Sequence, residues 1–241
     1  MAHTPPILVI DVGGSHAKAK VDDGDKVKVP TGPDARPQPV VAELQRRIPR
    51  DSYEVVTIGV PTPVVDGRLT ASPKNLGPGW AEFDFVEAFG CPVRLINDAA
   101  LQAIGGYQDG RMLFLGFGTG LGSALIVDGV VVPLELAHLP YRDGMTYEQE
   151  VGEAGQERLG RERWELCVHE VTALLRSGLV ADEVLLGGGN VKQLRELPKG
   201  ARRGGNRHAF AGGLRLWREE TFARQFPEQR PLGDSVCSER S

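Results

Sequence analysis

The sequence predicts an α/β fold built as two similar lobes. Three observations lead there. Strand-like apolar runs alternate with helix-like amphipathic stretches along the chain. One strand–turn–strand layout occurs twice, with Ile10 falling opposite Leu115, Gly13 opposite Gly118 and Val27 opposite Val132, an offset of 105 residues. Three apolar strands each run into a glycine-rich turn.

The elements follow in order. Residues 7–10 form a β-branched run that ends in Asp11-Val12-Gly13-Gly14-Ser15, and alternating residues then lead to the turn dipeptide Asp23-Gly24. The second copy, MLFLGFGTGLGSALIVDGVVV, begins at Met112 and aligns with the first without a gap, placing Asp128-Gly129 opposite Asp23-Gly24. A repeat of this length indicates a domain duplication, not a solenoid. Between the copies, residues 38–48 have helical spacing, 53–60 and 93–96 read as strands, and a helix is expected over 99–107. Beyond the second copy, a polar helix is expected over 147–159 and an amphipathic one over 164–176. A strand over 183–186 then enters Gly187-Gly188-Gly189-Asn190, a last helix covers 209–224, and the tail 227–241 reads as disordered.

Composition narrows the function. Of 241 residues, 41% are hydrophobic and 25% charged, ordinary for a globular protein. A net charge of −4 lacks the electrostatic footprint of a nucleic-acid binder. Cys91, Cys167 and Cys237 form no C-x-x-C pair, which argues against a disulfide framework or a cysteine-rich zinc site and fits the cytoplasm. No basic leader opens the chain and no apolar run approaches a membrane span, so neither export nor membrane insertion is expected. Glycine (31) and proline (17) are in excess with no collagen-like period, so they are spent in turns and close backbone approaches.

The glycine turns point to phosphate, because a turn without side chains lets backbone N–H groups converge on oxygens. A P-loop is excluded, since G-x-x-x-x-G-K-[ST] is absent. GFGTGLG has alternating glycines and leads into a strand, so it is not a dinucleotide fingerprint either. Asp11, at a strand end just before its turn, can hold Mg²⁺ through water. Thr119 and Ser123 could add hydroxyls from the opposite turn. Asn97 and Asp98 follow a strand and open a helix. Such residues cap helices in any protein, but phosphoryl transfer to an alcohol needs a carboxylate that accepts the hydroxyl proton, and Asp98 is the best candidate. Asn97 could bind a neighbouring hydroxyl. Glu135 and His138, three residues apart, could present an acceptor and a donor to a polyol. Asn75 lies in the loop SPKNLGPGW, where Trp80 reads as an anchor.

DVGGSHAK, GVPTPV, SPKNLGPGW, LINDAA, GFGTGLGSALI, ELAH and LLGGGN resemble, in this order, the motifs of ROK-family sugar kinases, closest to the polyphosphate-glucokinase-like branch. The resemblance covers residues 7–220. It implies the actin/hexokinase-like (ribonuclease H-like) fold, with two duplicated α/β lobes around a cleft. The first lobe would comprise residues 1–108 plus a returning helix near 208–226, and the second residues 109–207. It further implies a phosphotransferase acting on a hexose, most readily the 6-hydroxyl of glucose, with Mg²⁺ and without zinc. By resemblance Asp98 is the base. Asn75, Asn97, Glu135, His138 and Glu148 are sugar ligands. Gly13, Gly14 and Ser15, then Gly118, Thr119, Gly120 and Gly122, hold donor phosphates, while Gly187, Gly188 and Gly189 pack against the adenosine of ATP. Dimers are usual among related proteins, so a homodimer is allowed.

Two departures stand out: Ala137 replaces the glycine of E-x-G-H, and Thr62 replaces a glycine of G-x-P-G-P. They keep open a non-catalytic sugar- or nucleotide-binding regulator, beside a phosphohydrolase of the same superfamily. ATP and inorganic polyphosphate both remain as donors. Cations along the cleft rim would favour polyphosphate, with Lys74, Arg142 and the basic residues of 192–207 as candidates, although the latter read more readily as a solvated face.

Overall fold

Ile7–Val12 (β1) is buried at all six positions, as a central strand covered on both faces requires. The computed structural model describes residues 4–205 and 207–231. In it β1 lies at the middle of a five-stranded sheet. His16–Val21 (β2) and Val27–Pro30 (β3) follow as antiparallel hairpins. Pro37–Arg47 (α1) then leads to Val55–Val60 (β4), parallel to β1. After a small hairpin, Val64–Val65 (β5) and Arg68–Leu69 (β6), come Phe85–Phe89 (α2) and Val93–Asn97 (β7), parallel to β4. The strand order is β3-β2-β1-β4-β7.

Asp98–Gly106 (α3) leads into a second sheet of the same design. Arg111–Phe117 (β8), Leu121–Val127 (β9) and Val130–Leu134 (β10) form its antiparallel part. Tyr147–Val151 (α4), Glu153–Leu159 (α5) and Arg161–Gly178 (α6) precede Glu183–Gly187 (β11) and Ala201–Arg203 (β12), which are parallel. The order β10-β9-β8-β11-β12 repeats that of the first sheet. Arg207–Arg218 (α7) and Glu220–Ala223 (α8) follow.

The duplication predicted from sequence is thus present in the topology, with one correction. Val12 pairs with Ala17 across four residues, whereas Phe117 pairs with Leu121 across three. The gap-free match holds for β1 and β8 and slips by one residue past the turn. Asp128 and Gly129 form a two-residue turn with φ of 48° and 84°, while in the first copy the positive φ falls on Asp22 (41°), not on Asp23.

Helices α3 and α7 carry the contact between the sheets. Ala99, Ala103 and Ile104 of α3 share a core with Met112, Phe114, Ile126 and Leu185 of the second sheet. Phe210, Leu214 and Trp217 of α7 pack on Ile7, Val9 and Val55 of the first. Thr57 Oγ1 donates to the Gly213 carbonyl (3.0 Å) and accepts from Trp217 Nε1 (2.9 Å), which fixes α7 on β4. The two helices touch backbone to backbone. A Cβ on Gly105 would collide with the His208 carbonyl and stand 2.7 Å from the Gly212 nitrogen.

Other boundaries differ from expectation for local reasons. The helix expected over 147–159 breaks at Gly152 (ψ −178°), because the Glu153 amide turns to the Gly118 carbonyl (3.0 Å). The helix expected over 209–224 breaks at Glu219, which is extended (φ −112°, ψ 115°). Strands β5, β6 and β12 are too short to leave a period. The tail is not without structure from 227. Gln229 exchanges both backbone hydrogen bonds with Val93 (2.9 Å each) and its side chain donates to the Gly67 carbonyl. Residues 232–241, including Cys237, lie outside the described residues.

Candidate active site

The site is built where β7 ends and α3 begins. Asn97 caps the helix: its Oδ1 accepts from the amides of Ala99 (3.0 Å) and Ala100 (3.1 Å), and Nδ2 donates to the Thr62 carbonyl (3.3 Å). That leaves one amide hydrogen for a substrate hydroxyl, so Asn97 is first a positioning residue. Gly59 on β4 lets the helix start sit close, since a Cβ there would lie 3.7 Å from the Asp98 Cα and collide with Leu101.

The Asp98 carboxyl is pushed up to about 7, first by burial and then by the negative charge of Asp11, while the amides of Ala99 and Asp98 pull it down and Glu135 adds a smaller push. Asp11 is itself raised by burial, offset by Lys18, whose Nζ lies 3.7 Å from Asp11 Oδ2. The two carboxylates therefore influence each other close to the first glycine turn. Lys18 was missed as a site residue. Its signal lies in strand register and not in residue type, because the hairpin places it directly opposite Asp11.

Three glycine turns lie at the ends of β1, β8 and β11. The Gly13 amide closes its own turn onto the His16 carbonyl (3.0 Å), and Gly118 closes onto the Gly120 carbonyl (3.1 Å). Gly122 and Gly187 lie inside β9 and β11 and shape the approach, Gly122 against the Ala99 Cβ and Gly187 against the Phe114 ring. Among the described residues no group accepts from the amides of Gly14, Ser15, Thr119, Gly120, Gly188 or Gly189. Those six N–H groups, two per turn, are the ones open to an anion. Asn190 Nδ2 donates to the Gly118 carbonyl (3.2 Å) and joins the third turn to the second. A Cβ on Gly14 would lie 3.4 Å from the Asn75 Cβ, so the first turn touches the SPKNLGPGW loop. Trp80 is the anchor of that loop, fully buried with Nε1 donating to the Ala35 carbonyl (2.8 Å).

Glu135 precedes a short 3₁₀ turn, Leu136–His138, which ends on His138. Ser123 does not offer its hydroxyl to phosphate: it donates to the Leu134 carbonyl (2.9 Å) and accepts from the Leu136 amide (3.3 Å), pinning both sides of Glu135. The Glu135 carboxyl is raised, chiefly by partial burial, with His138 and Lys74 pulling down and Glu148 pushing up. Lys74 Nζ lies 3.4 Å from His138 Nε2, so the SPKNLGPGW loop reaches the Glu135–His138 turn. Glu148 is shared between sites. It neighbours Glu135, yet its Oε2 accepts from the Leu121 amide (3.4 Å) beneath the second glycine turn.

Both departures are accommodated. Ala137 is buried in the second lobe's core and is not among the residues with positive φ, so no glycine is needed there. Ala137→Gly is expected to cost about 0.5–1 kcal/mol of stability in a denaturant melt and to leave the sugar KM unchanged. Thr62 donates to the Ala71 carbonyl (3.2 Å) and ties the loop after β4 to the chain beyond β6.

Four of the eight candidate rim cations are committed elsewhere. Arg202 holds Glu183 through two bonds (2.8 and 2.9 Å), Arg142 pairs with Glu170 (3.3 Å), Arg195 with Glu162 (3.3 Å), and Arg203 donates to the Leu194 carbonyl (3.3 Å). Magnesium fits the remaining chemistry. Asp11 offers one buried carboxylate beside the free amides of Gly14 and Ser15, the kind of partial shell that Mg²⁺ completes with water and substrate phosphate. No group of three or more His, Cys, Asp or Glu forms a protein-only metal cage among the described residues.

Two sheets of one duplicated design, joined by buried helices and carrying glycine turns above paired carboxylates, define a hexokinase-like α/β protein. Residues 7–133 match the profile of the ROK family, and the chain belongs to that family. Among curated relatives, the polyphosphate glucokinase of Mycobacterium leprae is 26% identical over 203 residues, 75% of this chain and 62% of that protein. The chain therefore spans less than two thirds of that relative's length. Among solved structures, the inorganic polyphosphate/ATP-glucomannokinase of Arthrobacter sp. strain KM is 26% identical with a TM-score of 0.72, covering 92% of this chain and 100% of that one. The ROK family glucokinase of Streptomyces griseus, solved with glucose and AMPPNP, shares the fold at 17% identity and a TM-score of 0.72, covering 88% and 99%.

Proposed function

We propose that the chain is a cytoplasmic sugar kinase that transfers a phosphoryl group from ATP or polyphosphate to the 6-hydroxyl of a hexose, glucose foremost. The observation that carries this reading is the Asp98 carboxylate, held at a helix start beside Asp11 and pushed up to about 7. Asp98 accepts the hydroxyl proton as the sugar oxygen forms its bond to phosphorus, and the bond to the leaving phosphate breaks with its electron pair departing on that phosphate. Asn75, Glu135, His138 and Glu148 orient the sugar, and Asn97 holds the helix that carries the base. The open amides of the first two turns stabilise charge on the transferring group, and those at Gly188 and Gly189 border the donor. Magnesium, bound with the donor, offsets phosphate charge at Asp11. The similarity to polyphosphate glucokinases supports this choice of reaction.

A coupled assay of hexose 6-phosphate formation, run with ATP, GTP and polyphosphate against a small sugar panel, tests the reading. Sugar-independent donor consumption would sink it. Because Asp98 must be ionised to act, kcat/KM is expected to fall about tenfold per pH unit below about pH 7, and to level off above it.

A further inference from the structure

We propose that Lys18, Lys20 and Lys28, with His16, form a track on the first sheet that carries the distal part of an inorganic polyphosphate chain away from the catalytic carboxylates. This rests on the kinase reading for its starting point.

The track follows from strand register. Asp11 on β1 pairs with Lys18 on β2, which pairs with Lys28 on β3, so the three side chains stand in one row on one face. His16 and Lys20 flank Lys18 on that face, while Ala17, Ala19 and Val29 between them are buried on the other. From Asp11 the row crosses two strand spacings, about 10 Å, and ends at β3, the edge of the sheet. The cations are close enough to act on one another: burial, then Lys28 and Lys18, lower the His16 pKa. Lys18 and Lys20 have carboxylate neighbours at 3.7 Å, Asp11 and the 96%-exposed Asp23, but Lys28 has no ion pair among the described residues. The opposing acids Asp22, Asp23 and Asp25 sit at the far tip of the hairpin, and Asp22 is taken by Arg218 (2.8 Å). The positive field therefore lies between the first glycine turn and the β3 edge.

The duplication shows that the fold does not require these cations. The second sheet has Gly122, Ala124 and Ile126 on the matching face of β9, with Ala124 and Ile126 fully buried in the core that α3 shares. In the first sheet α7 covers Ile7 and Val9 on β1 but leaves the Lys18 and Lys20 side chains 27% and 25% exposed. A row of like charges leading out of a phosphoryl-transfer site suits a ligand whose charge repeats along its length. Strands HAKAKV and VKVP carry no Phe, Tyr or Trp on which a base could stack, which favours polyphosphate over nucleic acid.

Lys28→Glu and Lys28→Ala test this, since Lys28 is exposed and outside the catalytic set. Anisotropy of end-labelled long-chain polyphosphate should show binding weakened about tenfold by Lys28→Glu, and Lys28→Ala should lower the slope of log affinity against log salt by about one. KM for long-chain polyphosphate should rise in parallel, while KM for MgATP and tripolyphosphate stays within about twofold. Unchanged long-chain binding, equal losses for MgATP, or no polyphosphate binding by the unaltered protein would overturn the track. An oligonucleotide that binds as tightly, with the same dependence on Lys28, would overturn it in favour of a nucleic-acid surface. If no donor phosphorylates any hexose, the kinase reading falls, and the anisotropy series still decides the track.

Discussion

Asp98→Asn is expected to slow phosphoryl transfer by about 10²–10⁴-fold and, at the same time, to make the protein harder to unfold at neutral pH. The two effects have one cause. Burial and Asp11 raise the Asp98 pKa from the usual 3.8 to about 7, so the folded state resists an ionisation that the unfolded chain undergoes freely. Between pH 4 and pH 7 the unfolded state therefore binds fewer protons, and stability falls as pH rises. At about 1.4 kcal/mol per unit, the cost reaches ~4 kcal/mol above pH 7 as an upper bound. Asparagine has nothing to ionise and escapes it, less about 0.3–1 kcal/mol for the charge lost at the start of α3. Thermal melts should show the variant more stable at pH 8 and level with the parent near pH 4. Near-parental turnover would remove Asp98 as the base; a variant less stable at pH 8 would show that its carboxylate is not strained.

Gly212→Ala is expected to do the reverse, strongly destabilising the fold with no direct contact to the site. Its Cβ would collide with the Leu101 carbonyl and stand 3.1 Å from the Gly105 nitrogen, and backbone cannot rotate away as a side chain can. Overpacking of this kind costs about 1–3 kcal/mol where side chains yield, and more where they do not. A fall in Tm of about 10 °C or greater, or loss of soluble protein, is the expected readout for a chain of this size. Gly178→Ala provides the contrast. It sits in α6, and a Cβ there would meet nothing within 4 Å, so it should be neutral or stabilising by about 0.5–1 kcal/mol. If both variants melt alike, the close helix crossing is not what sets stability.

The strongly patterned parts of the fold were legible in the chain. The β-branched and apolar runs of β1, β4 and β8 and the duplicated hairpin identify both sheets, because buried strands leave little choice of residue. The segment Ala201–Arg203 was not legible, since an Ala-Arg-Arg edge strand is specified by its neighbour β11 and not by its own pattern. The break at Gly152 was missed because a tertiary hydrogen bond, from the Glu153 amide to the Gly118 carbonyl, turns the chain there; the extended backbone at Glu219 leaves no sequence signal. At the candidate site, residue type singled out Asp98, Glu135 and His138 as candidates, but pairing was needed to find Lys18 beside Asp11. It also took pairing to show that Ser123 braces the Glu135 turn and that Asn97 serves chiefly as a cap.

The position of α7 bears on how the protein is made. Ile7, Val9 and Val55 find their cover in Phe210, Leu214 and Trp217, some 150–200 residues later in the chain. Until that helix emerges, the nascent chain carries an apolar sheet face with no partner, open to aggregation and to chaperone capture. The α7-covered face of the first sheet is therefore completed only once α7 has been made.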